Sequence, residues 1–434
     1  MSDAERHLYL RDLSVEEARA RFDALLARLA YDRPLPGEVV DLADALDRVA
    51  AAHVAARISS PHYHACAMDG VAVLAARTQG ATEGAPVRLR LGTEALSVDT
   101  GDPLPEGCDA VVMAEVVESL PDGVVALRAP VAPWEHVRPI GEDLVASEIV
   151  VAAGDRLRPV DLAALAAAGV TRLGVVRRPR VAVVTTGNEL VPPATEHPAP
   201  GTILDSNGVL LAASIQAWGG IALLTERVPD DRAALGRALD DALQRCDAVA
   251  VNAGSSAGRE DYTARILAER GEVVVHGVAI RPGHPLILGE ARGKPVLGIP
   301  GYPVSAALCA ELFLRPLVER LGGREAEDAP RVEVRLARKL FSPLGEEEYV
   351  RAVAAPIEGE LRALPLKRGA AVITSLSRAN ALLLSPRQSE GYLEGASAPA
   401  LLLRSRERIG RTLLAAGSHD VALEALGAAL RTHG

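Results

Sequence analysis

Three carboxylates fall just beyond successive apolar runs of the 434-residue chain: Glu189 in VAVVTTGNEL, Asp230 after IALLTERVP and Asp261 in NAGSSAGRED. Carboxylates on neighbouring loops suit Mg²⁺, a hard cation that takes oxygen ligands and bridges phosphates. Taken singly, Asp230 and Asp261 read equally well as residues that favour helix N-termini. Between DAVAVNAG and REDYT, Gly254 and Gly258 let the backbone approach a ligand, and Ser255, Ser256 and the following amides are donors for an anion. No Gly-Lys-Ser/Thr follows, so this is not a Walker A loop, and the same glycines also suit an ordinary turn. Arg281 and His284 flank a Pro-Gly turn in IRPGHPLILG. A guanidinium holds an oxyanion through paired N–H bonds, whereas His284 reads as a donor or as a loop residue without a role. Pro300, Gly301, Pro303 and Ser305 belong to a stiff turn that opens a helix. In HACAMDGVAV and TGDPLPEGCDAVVM, Asp69 and Thr100 stand at turns before strands.

These residues need elements to position them. Over 180–324, strand patterns (RVAVVTT, IALLTERV, DAVAVNAG) alternate with helix patterns (NGVLLAASIQAWG, DDRAALGRALDDALQRC, REDYTARILAERG). Short strands GVAI, PLILGE and KPVLGIP follow, and VSAALCAELFLRPLVERLGG closes as a helix. This predicts an α/β domain with a largely parallel sheet, whose ligands bind beyond the carboxyl ends of the strands. The unusual residues fall at those ends. Earlier, Ser14 and Glu17 form a capping box ahead of a helical pattern, and VVDLADALDRVAA predicts a short strand and then a helix. Residues 56–145 hold short β-rich pieces separated by Pro and Gly, a small β-domain. PVDLAALAAAGV is helical, with Pro159 near its start and Gly169 as its C-cap. It is expected to rejoin the N-terminal helices, making the β-domain an insertion. The expected division is 1–55 with 146–179, 56–145, 180–325, 326–408 (β-rich again) and a tail, 409–434.

Composition narrows the class. Aromatic residues are only 3%, so Leu, Val and Ala must fill the cores. A net charge of −10 excludes a general nucleic-acid binder, which needs a basic face, but not a small anionic ligand. Cys66, Cys108, Cys246 and Cys309 are widely spaced, as expected in a reducing compartment. The charged N-terminus does not read as a signal peptide, and no apolar run is long enough to span a membrane. A cytoplasmic location is expected.

The segments AMDGVAV, TGDPLPEGCDAVVM, RPIGEDL, VVTTGNEL, ILDSNG, AGSSAGREDYT, IRPGHP, GIPGYPVSA and SLSRANALLLSP together resemble the MoeA family, the molybdopterin molybdenumtransferases. They occur in family order over roughly residues 10–405. The resemblance implies a multidomain α/β plus β fold: a helical and strand-linked dimerisation domain, an inserted β-domain, a MogA-like α/β molybdopterin-binding domain and a C-terminal β-barrel. It implies an elongated homodimer in which Asp69, Thr100 and Asp143 reach into the partner's cleft. Glu189, Asp230 and Asp261 would hold Mg²⁺, with Zn²⁺ as the alternative, and act on the substrate. The substrate implied is adenylylated molybdopterin; AMP leaves and molybdate joins the dithiolene. The 254–258 amides would carry the pterin phosphate, and Arg281, His284, Arg368, Ser375 and Arg378 would serve the oxyanion. Pro300, Gly301, Pro303 and Ser305 match the family's Pro-Gly-x-Pro-Val-Ser loop. Further partners implied are a molybdopterin adenylyltransferase and molybdoenzyme-maturation proteins, with no nucleic acid and no membrane.

The sequence departs from the family pattern at several of these positions. Asn252-Ala253-Gly254-Ser255-Ser256 replaces the usual Ser-Gly-Gly-Val-Ser, His284 stands where a lysine is usual, and Tyr302 replaces Asn. These spellings resemble a branch fused to a periplasmic-binding-protein-like domain, and AAGSHDVALEALGAAL resembles its first strand and helix. Residues beyond about 412 are therefore expected to be loosely held. Two other readings stand beside the insertase: a relative that adenylylates molybdopterin, which usually lacks both β-domains, and a non-catalytic molybdate-responsive or scaffold protein. No GxGxxG follows the first strand of the α/β domain, which weakens a dehydrogenase reading.

Overall fold

The structure is a computed structural model and describes residues 12–253, 260–325, 329–412, 425, 426, 428 and 429. It divides into two units, Met1–Leu35 with Arg178–Gly434, and Pro36–Arg177.

The larger unit is built on a six-stranded sheet. Its order is Ile221–Leu224, Arg180–Thr185, Ala248–Ala253, Lys294–Pro300, Ile287–Ala291, Gly271–His276. The first four strands are parallel and the last two antiparallel. Strands covered on both faces need continuous apolar sequence, and VAVVT and AVAVNA supply it. Alternation then sorts their side chains. Val181 and Val183 face Leu211 and Ile215 of helix Ser206–Ala217, while Ala182 and Val184 face Leu235 and Leu239 of helix Arg232–Arg245.

Several expectations are corrected here. Helix Val15–Arg28 packs with the α/β domain rather than with residues 146–179. Its face of Val15, Ala18, Phe22, Leu25 and Leu26 is buried in the same cluster as Val181 and Leu297. Strand Gly271–His276 begins at the last residue of the expected helix and fills a stretch to which the sequence pattern assigns no element. Ile280–Arg281 leaves the α/β sheet and pairs in parallel with Glu347–Ile357. The closing helix is interrupted by a π-turn over Ala310–Leu314. Pro316 has no N–H to give the Leu312 carbonyl, which instead accepts from the Arg19 guanidinium at 3.4 Å.

The capping box forms as expected. The Ser14 hydroxyl accepts from the Glu17 N–H at 3.1 Å, and the Ser14 N–H donates to the Glu17 carboxylate at 2.9 Å. Ser14→Ala is expected to cost about 1 kcal/mol of the unit's stability, read by denaturant unfolding. An unchanged midpoint would show that tertiary packing alone holds the helix.

The C-terminal region is a closed five-stranded barrel. Glu347–Ile357 pairs with Glu360–Pro365, and the ring continues through Arg331–Leu336, Ser397–Leu402 and Ala381–Ser385 back to Glu347–Ile357. Closure removes sheet edges, and small inward residues such as Ala352, Ala354, Ala363, Ala381 and Ala398 suit so narrow a barrel. Helix Arg406–Gly410 seats Ile409 in the same core. The readings of the tail, both as the start of a further domain and as loosely held, fall almost wholly outside the described residues.

The smaller unit begins and ends in one antiparallel ladder, Gly37–Asp41 with Arg172–Val176. Its cluster of Ala45, Ala50, Leu157, Leu165 and Val175 takes in helix Pro159–Ala167, and the inserted strands form two three-stranded sheets. The helix expected after the first strand is a single 3₁₀ turn, Leu42–Asp44. Asp47 has φ of 66°, and the buried Arg48 reaches the Glu38 carboxylate and the Val176 carbonyl, so long-range bonds override a helix-prone composition. Among the described residues no helix is long and apolar enough to cross a membrane, and all four cysteines are free thiols.

Candidate active site

The carboxyl ends of the parallel strands carry a connected polar network. Strand Arg180–Thr185 runs into the turn Thr186–Glu189. The Thr186 hydroxyl donates to Asp230 Oδ1 at 3.1 Å and the Asn188 N–H to Oδ2 at 3.3 Å, while the Asp230 N–H returns to Asn188 Oδ1 at 3.1 Å. Asp230 is thereby clamped to the residue before Glu189. The turn is tight enough that a Cβ on Gly187 would meet the Glu189 carboxylate at 3.0 Å. Glu189 lines a cleft of about 240 Å³ with Asp205, Asn207, Asn252, Gly301 and Ala371.

The floor of that cleft is fixed by two amides. Asn252 Nδ2 donates to the Ile299 and Pro300 carbonyls at 3.2 and 2.9 Å, which turns its oxygen toward Asn207 Nδ2 at 3.0 Å. Asn207 Nδ2 also donates to the Gly301 carbonyl at 2.7 Å. Asp205 caps helix Ser206–Ala217 through the Gly208 N–H and accepts from the Thr185 hydroxyl. Sequence reasoning assigned no role to Asp205, Asn207 or Asn252, although ILDSNG and Asn252 stood among the family-like segments. The available signal was Asn252 itself, a polar residue ending a wholly buried apolar strand. Gly301 and Pro303 line the cleft, and the Pro300 carbonyl anchors Asn252. Ser305 is buried in the first helical turn and is not among the lining residues.

The basic residues are distributed differently from expectation. Arg281 and His284 lie where Ile280–Arg281 joins the barrel strand, among acids: Arg281 is 3.7 Å from Glu346, and the His284 nitrogens are 3.7 Å from Asp12 and 3.9 Å from Glu346. Ser375 is buried and occupied, donating to the Val372 carbonyl at 2.6 Å and accepting from Arg351 Nε at 3.0 Å. Arg351 was not singled out from sequence. It is only 4% exposed, and it also donates to the Lys367 and Gly369 carbonyls. Burial pushes its guanidinium below the ordinary arginine value, and the neighbouring Glu348 opposes that shift. Arg368 stands 3.5 Å from Glu348 and donates to the Phe341 carbonyl; Arg378 is exposed at the end of helix Ile373–Arg378.

In the smaller unit, Asp69 and Thr100 are brought together. Asp69 Oδ1 accepts from the Thr100 N–H at 2.6 Å and from its hydroxyl at 2.8 Å. The N–H first and the hydroxyl second hold the Asp69 carboxyl below the usual carboxylate range. Thr100→Val keeps the first bond and loses the second, so the Asp69 pKa is expected to rise part of the way back, as followed by carboxyl ¹³C titration. The folded group titrates below its unfolded value. Its contribution to stability is therefore complete above the ordinary pKa and is lost as pH falls through the folded one. Asp143 belongs to another loop, where its N–H donates to the Ser60 carbonyl at 3.0 Å. Gly254, Ser255, Ser256 and Gly258 lie outside the described residues; Asp261 is in helix Glu260–Arg270, but its side chain is not described.

Among the described residues no group of three His, Cys, Asp or Glu side chains gathers as a metal cage. Glu189 and the clamped Asp230 instead offer carboxylates on adjoining loops. That donor set fits Mg²⁺, which is usually held by one or two carboxylates with water and phosphate, better than Zn²⁺, which favours nitrogen and sulfur.

Comparison with known proteins bears on the whole chain. Residues 13–169 match the MoeA N-terminal region (domain I and II), residues 182–320 the "Probable molybdopterin binding domain", and residues 333–403 the MoeA C-terminal region (domain IV). A molybdopterin biosynthesis protein of Methanocaldococcus jannaschii is 34% identical over 381 residues, spanning 84% of this chain and 92% of that protein. Molybdopterin molybdenumtransferase 2 of Mycobacterium tuberculosis is 34% identical over 72% of this chain and 82% of its own length. The solved structure of a molybdopterin biosynthesis MoeA protein from Pyrococcus horikosii superposes with a TM-score of 0.76 at 32% identity, covering 91% of this chain and all of that one. The α/β sheet, the closed barrel and the three consecutive regional matches agree with one another, and the chain belongs to the MoeA family of molybdenum cofactor biosynthesis.

Proposed function

We propose that this protein is a molybdenum insertase that binds adenylylated molybdopterin, cleaves its phosphoanhydride with release of AMP, and places molybdate on the dithiolene. The observation that carries the reading is the clamp of Asp230 by Thr186 and Asn188 beside Glu189, above a cleft whose floor is fixed by Asn207 and Asn252. Such a site holds charge in place before the substrate arrives, which is how preorganised groups lower a barrier.

Glu189 and Asp230 would hold Mg²⁺, with Asp261 as the third carboxylate assigned by resemblance. When bound, the metal supplies polarisation of the phosphoanhydride. The remaining work falls to the chain. Asn188 and Thr186 keep Asp230 from turning away, and the amide pair holds the Gly301 turn against the cleft. By resemblance, Arg281 and Arg378, both exposed, would meet an arriving oxyanion, Arg281 with Glu346 3.7 Å away. Arg351 acts one step back, fixing Ser375 and the 367–369 backbone. In this reading the active unit is a homodimer in the cytoplasm, where the four thiols stay reduced, and Asp69, Thr100 and Asp143 complete the partner's site.

The test is turnover. Purified protein receives adenylylated molybdopterin, Mg²⁺ and molybdate, and AMP and active cofactor are measured. Molybdate-dependent AMP release establishes the reading. Pterin binding without AMP release at high molybdate overturns it in favour of a binding or scaffold protein.

A further inference from the structure

The chain is poor in aromatic residues, with two Trp, three Phe and seven Tyr, yet the smaller unit leaves one of its rings, Trp134, at the surface beside a histidine. Trp134 is 50% exposed, and the His64 ring meets it at 4.8 Å between centroids with the planes 62° apart. Trp134 has φ of 66°, a backbone conformation that bulky side chains rarely adopt. The position is fixed by long-range bonds: the Trp134 N–H donates to the Asp109 carbonyl at 2.6 Å and the Val111 N–H to the Glu135 carbonyl at 3.1 Å. The fold therefore holds a large apolar ring in the open at a strained residue. Strained residues that persist are characteristic of binding sites.

His64 is oriented as well as packed edge-on against Trp134. The Ile140 N–H donates to His64 Nδ1 at 3.2 Å, so the neutral ring carries its proton on Nε2 and presents a donor. The platform also adjoins the Asp69–Thr100 pair. The Leu104 N–H donates to the His64 carbonyl at 2.8 Å, and the Tyr63 hydroxyl donates to the Gly101 carbonyl at 2.9 Å, so the loop that begins at Thr100 is pinned to the His64 segment.

We infer that Trp134 and His64 form a stacking subsite for a planar nitrogen heterocycle of the substrate, with Trp134 supplying the face and His64 Nε2–H a hydrogen bond to a ring acceptor. Stacking on an aromatic side chain tolerates any flat ring, so both the adenine and the pterin of the substrate share the required chemistry. The inference rests on the adenylylated-molybdopterin reading for its ligand, but its test needs neither molybdate nor turnover.

The full-length protein is titrated with AMP, with 6-hydroxymethylpterin and with ribose 5-phosphate, following tryptophan fluorescence. Trp218, the other tryptophan, packs against the α/β core and gives a constant background. Quenching by AMP assigns the platform to adenine, and quenching by the pterin assigns it to the pterin; either supports the inference. Trp134→Leu is expected to weaken binding of the quenching ligand about tenfold by calorimetry, with Trp134→Phe within about threefold of the unsubstituted protein. Quenching by neither ring, equal response to ribose 5-phosphate, or Trp134→Leu binding as tightly as the original overturns it. Should Trp134→Leu fail to fold, the titration of the unsubstituted protein and of Trp134→Phe decides. Ring binding without AMP release would remove the insertase reading and leave the platform standing; AMP release with ring affinity unmoved by Trp134→Leu would do the reverse.

Discussion

Asp230→Ala is expected to slow molybdate-dependent AMP release by about a hundredfold or more while the fold survives, because a positioned acidic group or metal ligand typically contributes that much. The substitution removes a carboxylate and leaves the Thr186 hydroxyl and the Asn188 N–H without their acceptor, at a partly exposed turn that water readily reaches. Asp230→Asn separates charge from shape. It retains one acceptor oxygen and the side-chain volume, so an activity as low as that of the alanine variant would place the importance in the charge. Recovery to within a few-fold of the original would assign Asp230 to loop geometry alone. Retained binding of the adenylylated pterin, measured alongside, distinguishes lost chemistry from lost affinity. Unchanged turnover in Asp230→Ala would remove Asp230 from the proposed machinery.

Arg351→Leu is expected to cost the larger unit about 3 kcal/mol, the largest loss of stability predicted here. Leucine fills much of the apolar stem but makes none of the three hydrogen bonds to Ser375, Lys367 and Gly369, and it leaves Arg368, 3.5 Å away, as the one cation still paired with buried Glu348 among the described residues. One Glu348 oxygen already lacks a hydrogen-bond partner. Denaturant unfolding followed in the barrel checks the magnitude. A double substitution, Arg351→Leu with Glu348→Gln, should be less destabilised than the sum of its parts, since the second change removes a charge whose attraction to Arg351 the first has already lost. Strict additivity would mean that the two groups do not interact.

The contrast between what was legible in the sequence and what was not follows from range. Strands Arg180–Thr185 and Ala248–Ala253 were legible because burial on both faces demands an unbroken apolar run, and the Ser14–Glu17 box because its partners are three residues apart. The destination of the first helix was not, since an amphipathic face announces that it is buried without saying against what. The 42–52 segment misled for a related reason. Alanine and leucine favour a helix locally, but Arg48 and Ala50 bond to strand Arg172–Val176 more than a hundred residues away. At the site, carboxylates on loops stand out as chemistry, so Glu189 and Asp230 were legible as candidates. Asn207, Asn252 and Arg351 were not, because a buried polar side chain looks ordinary until its hydrogen-bond partners are known. Conversely, Ser375 reads as a free hydroxyl in SLSRAN and is a fully engaged one in the fold.

The ladder that opens and closes the smaller unit has an engineering consequence. Gly37 lies opposite Val176, and the Arg177 N–H reaches the Pro36 carbonyl at 3.1 Å, so the chain enters and leaves through adjacent residues. Cross-strand neighbours in an antiparallel pair are about 5 Å apart, a gap that a tight turn closes. Residues 36–177 are therefore a cassette with abutting ends. A gene shortened to join Leu35 to Arg178 through a brief turn should still encode the sheet and barrel, and the excised segment should accept its own circular closure, as expected of a module gained or exchanged as a single block of coding sequence.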